Sequence, residues 1–77
     1  MNTKFKLVIS ENEEIQATNY DTFGEASDAL EEWLNTYKYN PDGTIDEGFQ
    51  ISYNETRGKA LVETENEIIG FACIIEP

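Results

Sequence analysis

Apolar residues recur at helical spacing through the stretch YDTFGEASDALEEWLNTY, Tyr20 to Tyr37. Phe23, Ala26, Leu30, Trp33, Leu34 and Tyr37 share one face of a helix. Glu25, Asp28, Glu31, Glu32 and Asn35 fall largely on the other. Thr22 suits the N-cap, because its hydroxyl can accept from a free first-turn amide. Glu25, three residues on, can complete a capping box by reaching back to the Thr22 amide. Gly24 lowers helicity by at most about 1 kcal/mol, too little to abolish so regular a pattern. Alone, so short a helix is marginal in water, so its apolar face needs a cover.

The rest of the chain alternates with the period of strands. Lys4–Ser10 places Phe5, Leu7 and Ile9 on one face. Glu11-Asn12-Glu13 forms a turn in which Asn12 tolerates a positive φ. Glu14–Tyr20 returns as a more polar edge strand. After the helix, Lys38–Gly48 is a loop with a turn signal at Asn40-Pro41-Asp42-Gly43. Phe49–Asn54 and Lys59–Thr64 are strands around a turn at Asn54–Gly58, and Glu65-Asn66 turns again. Glu67–Glu76, EIIGFACIIE, is apolar on both faces and belongs in the middle of a sheet.

The expected fold is therefore α+β in the order ββαβββ. Residues 1–77 form one domain, a five-stranded antiparallel sheet ordered 2-1-5-4-3 with the helix across one face. Gly70 and Ala72 would admit close approach of Trp33. That assignment turns Ile69, Phe71, Cys73 and Ile75 to the uncovered face. A second subunit or a strong curl of the sheet would have to bury them there.

The chain of 77 residues carries 16 acidic and five basic residues, a net charge of −11. Such a molecule is repelled by nucleic acid and by anionic membrane, and its natural partners are basic. The up-and-down topology gathers Glu11, Glu13, Glu14, Glu31, Glu32, Asp42, Asp46, Glu47, Glu65 and Glu67 at one end with Lys38. Lys4, Lys6, Arg57 and Lys59 go to the other. The negative end of the helix dipole joins the acidic end.

Chemistry is sparse. There is no His, and the single Cys73 lies in an apolar strand, so general-base and thiol catalysis lack their usual residues. No catalytic site or cofactor is expected, and the chain does not read as an enzyme. Asn40–Asp46 resembles the middle of an EF-hand loop, but Lys38 and Phe49 stand where oxygen ligands are required, so no metal is expected. No apolar run could cross a bilayer and no signal-peptide core opens the chain, which with a lone cysteine points to the cytoplasm.

In length, acidity and order the chain resembles small acidic phage and mobile-element inhibitors of host defence, of the anti-CRISPR or DNA-mimic type. The features in common are a hairpin, a capped helix (Tyr20-Asp21-Thr22 through Glu32-Trp33-Leu34) and a strand meander. The resemblance implies a cytoplasmic inhibitor that occupies a basic nucleic-acid-binding site of a defence nuclease complex, without binding nucleic acid or membrane itself. The alternative is a structural module that homodimerises through Ile69, Phe71 and Ile75 or through an edge strand.

Overall fold

A computed structural model describes residues 4–77. Its elements are β1 (Phe5–Glu11), β2 (Glu14–Tyr20), α1 (Phe23–Lys38), β3 (Gln50–Asn54), β4 (Lys59–Glu63) and β5 (Ile68–Ile75). They form one antiparallel sheet in the order β2-β1-β5-β4-β3, as the pattern predicts. The two-residue turn between β1 and β2 puts both Asn12 (φ 51°) and Glu13 (φ 67°) in the left-handed region. Two successive positive φ values are what the twist of a tight hairpin demands, and Asn accepts that more readily than Glu.

Helix α1 starts where Thr22 caps it. The Glu25 amide donates to the Thr22 hydroxyl oxygen at 3.1 Å, and that hydroxyl donates to the Glu25 carboxylate at 3.1 Å. The reciprocal bond thus runs through the hydroxyl, not through the Thr22 amide. Ala26, Leu30 and Leu34 are buried against Leu7, Ala60, Val62, Ala72 and Ile74 of the sheet. Leu30 and Val62 are fully enclosed, each worth about 1.5–3 kcal/mol relative to exposure.

Close helix–sheet approach depends on Gly70. A Cβ there would lie 2.7 Å from Cζ2 of Trp33, so the indole occupies the space a side chain would need. Aromatic rings continue the layer: Trp33 and Tyr37 meet edge-on at 5.4 Å, and Tyr37 meets Phe49 at 5.2 Å. Phe49 lies just before β3 and packs against the core.

The loop between α1 and β3 has its own order. Tyr39 and Ile45 form an isolated antiparallel bridge, and the Asp46 amide donates to the Lys38 carbonyl at 2.8 Å. Asn40–Gly43 is the tip of this small hairpin, closed by the Gly43 amide on the Asn40 carbonyl at 2.9 Å.

One expected face is corrected. The β4–β5 pairing slips between Val62, opposite Gly70, and Glu63, opposite Ile68. The extra residue in this bulge is Ile69, which is partly buried and packs against the core rather than lying on the uncovered face. Beyond the bulge the alternation holds. Gly70, Ala72 and Ile74 are buried, while Phe71 and Ile75 remain 42% and 51% exposed.

Candidate functional site

The topology decides which turns are neighbours. β1 pairs with both β2 and β5, so the Asn12-Glu13 turn and the turn leading into β5 lie side by side. Glu11, Glu13 and Glu67 line a shallow cleft of about 350 Å³ between them, together with Ser10 and Asn12. Glu14 begins β2 at the same end. Glu65 lies in the last turn, where the Thr64 amide donates to the Glu67 carbonyl at 2.8 Å. The C-terminus of α1 and the 39–48 loop, with Asp42, Asp46 and Glu47, complete this end. Glu63 also belongs here: it pairs with Gln50 and Ile68 at the start of β3 and β5. The expected acidic group leaves it out, because it lies inside the expected strand Lys59–Thr64 and short of the Glu65-Asn66 turn. Lys38 is the one cation at this end among the described residues.

Not every carboxylate gathered there is available. The Glu11 carboxylate accepts from the Trp33 indole at 2.9 Å and from the Tyr37 hydroxyl, so it fastens the helix to β1. Burial, aided by that bond and by the Glu11 charge, raises the Tyr37 pKa to about 12. Asp42 accepts from the Thr44 hydroxyl at 2.6 Å and the Thr44 amide at 3.0 Å, which lowers its pKa. Asp46 accepts from the Gly48 amide at 2.8 Å. These bonds shape the loop while leaving the charges at the surface.

Glu31 and Glu32 do not join the group. They stand midway along α1 and diverge. Glu31 lies beside Tyr53 and Glu55, with the Tyr53 hydroxyl at 3.5 Å. Glu32 lines a different hollow with Gln16, Thr18 and Tyr20. The far end of the sheet holds Lys4, Lys6, Arg57 and Lys59, but also Asp21, Glu25 and Glu55, and Lys4 is ion-paired with Asp21. It is therefore close to neutral rather than basic. The molecule has one strongly negative end and one balanced end.

Among the described residues no group of three or more His, Cys, Asp or Glu side chains could hold a metal ion. No helix there is long and apolar enough to cross a membrane. Comparison with protein families, curated proteins and solved structures finds no match for this chain.

Proposed function

We propose that the protein is a non-enzymatic inhibitor whose acidic end docks on a basic, nucleic-acid-binding surface of a partner protein. What supports this reading is the one-sided charge. Glu13, Glu14, Glu47, Glu65 and Glu67 stand with Asp42 and Asp46 on adjacent turns and strand ends, opposed among the described residues only by Lys38. Like charges so placed repel each other and lower stability, while the balanced far end has no such excess. A carboxylate array can engage lysines and arginines that otherwise hold phosphates. The competition is steric and electrostatic, with fast association that salt slows. The anti-CRISPR and DNA-mimic inhibitors that the chain resembles would act in this way, within the cytoplasm of a host cell.

The test is capture on the immobilised chain from a bacterial lysate at low salt, followed by elution with double-stranded DNA or RNA. The reading expects a nucleic-acid-binding protein that nucleic acid displaces. Retention of that protein in saturating nucleic acid would refute competition for one surface.

A further inference from the structure

The sheet face away from α1 differs from the rest of the surface. Val8, Ile15, Leu61, Phe71, Cys73 and Ile75 make it apolar, and Ile15 and Phe71 are 73% and 42% exposed. Among the described strand residues it carries a single carboxylate, Glu63, in a chain with 16 acidic residues. It also carries Lys6, opposite Ile75, and Lys59, opposite Cys73. An acidic surface that merely needed solubility would not leave one whole face of the sheet nearly free of acid.

The registers order these groups. Ile15, Ser10, Phe71, Leu61 and Ser52 lie in one row across the sheet. On β4, Lys59 stands two residues to one side of that row and Glu63 two residues to the other.

We infer that this face is a homodimer interface, with the two sheets packed face to face and antiparallel about a two-fold axis along the Phe71–Leu61 row. A two-fold lying across the strands stacks each β4 on its partner's β4 with ends reversed. Lys59 of each copy then faces the partner subunit's Glu63, and Ile15, Phe71 and Leu61 of the row meet their own copies, with Ser10 and Ser52 between and beside them. The arrangement also sends the two acidic ends to opposite extremes, which minimises repulsion between chains of net charge −11. Five strands about 4.8 Å apart and about 20 Å long bury on the order of 1,000 Å² over both copies, enough for a specific but weak interface. The inference holds whether or not the acidic end meets a basic partner.

The test is sedimentation equilibrium of the full chain from micromolar to millimolar concentration. The parent is expected to dimerise. Phe71→Glu, at an exposed position, should be monomeric with the parent's circular dichroism; Ile75→Glu serves if that variant fails to fold. Lys59→Glu should weaken the dimer about tenfold, because two like-charge contacts arise per dimer, and Lys59→Glu/Glu63→Lys should restore it. A parent that stays monomeric, or a folded Phe71→Glu that still dimerises, overturns the interface. Failure of the double variant to recover association overturns the antiparallel orientation.

Discussion

The Trp33 indole nitrogen donates to the Glu11 carboxylate at 2.9 Å, joining the last third of the helix to the end of the first strand. The same oxygen accepts from Tyr37, so one carboxylate satisfies two amphipathic side chains. Bonds to a charged acceptor are the stronger kind. Glu11→Ala should lower stability by about 1–3 kcal/mol and Glu11→Gln by less, whereas Glu65→Ala should change it by under about 0.5 kcal/mol. Urea unfolding followed by fluorescence of Trp33, the only tryptophan, checks the order.

Tyr37 supplies a pH dependence. Its hydroxyl ionises near 12 in the fold, against 10 for an ordinary tyrosine. The unfolded chain therefore gives up this proton first. The stabilisation is complete below about pH 10 and is lost as pH rises towards 12. Tyr37→Phe should remove that part of the alkaline slope, and spectroscopic titration of tyrosinate should lose its latest component.

Gly70 tests the packing of the indole. Gly70→Ala places a methyl 2.7 Å from Trp33 and 3.4 Å from the Ser10 carbonyl, so the indole, or the helix that carries it, must give way. The expected loss is about 1–3 kcal/mol, with a red shift of Trp33 emission. Unchanged stability and emission would mean that the indole does not press on β5 here.

The first hairpin can be improved. Glu13 holds φ 67°, where a Cβ is unfavourable, and Asn-Gly suits such a turn. Glu13→Gly should raise stability by about 0.5–1 kcal/mol, read as a higher urea midpoint at unchanged slope.

Much of this fold was legible in the sequence, for physical reasons. A strand apolar on both faces must lie inside a sheet, and that fixed β5 beside β1 and hence the strand order. Gly70 was legible too, because a glycine opposite a tryptophan leaves room for a ring. Ile69 was not: a bulge resets the alternation and leaves no mark in composition. Glu31 and Glu32 were misplaced because adjacent helical residues point about 100° apart and a helix of 16 residues spans the sheet. The role of Glu11 was hidden because it depends on which strand end faces the helix. Glu63 was overlooked because it lies inside the expected strand Lys59–Thr64, short of the turn at Glu65-Asn66.

On the proposed reading, the position of the carboxylates matters, not the net charge. Two charge-matched variants separate these: Glu13→Lys/Glu65→Lys/Glu67→Lys at the acidic end, and Asp28→Lys/Glu55→Lys/Glu76→Lys away from it. The measurement is low-salt capture of the nucleic-acid-displaceable partner by each, beside the parent. Loss of that partner by the first variant with retention by the second is the predicted result. Equal retention, or equal loss, by the two would overturn docking through the acidic end.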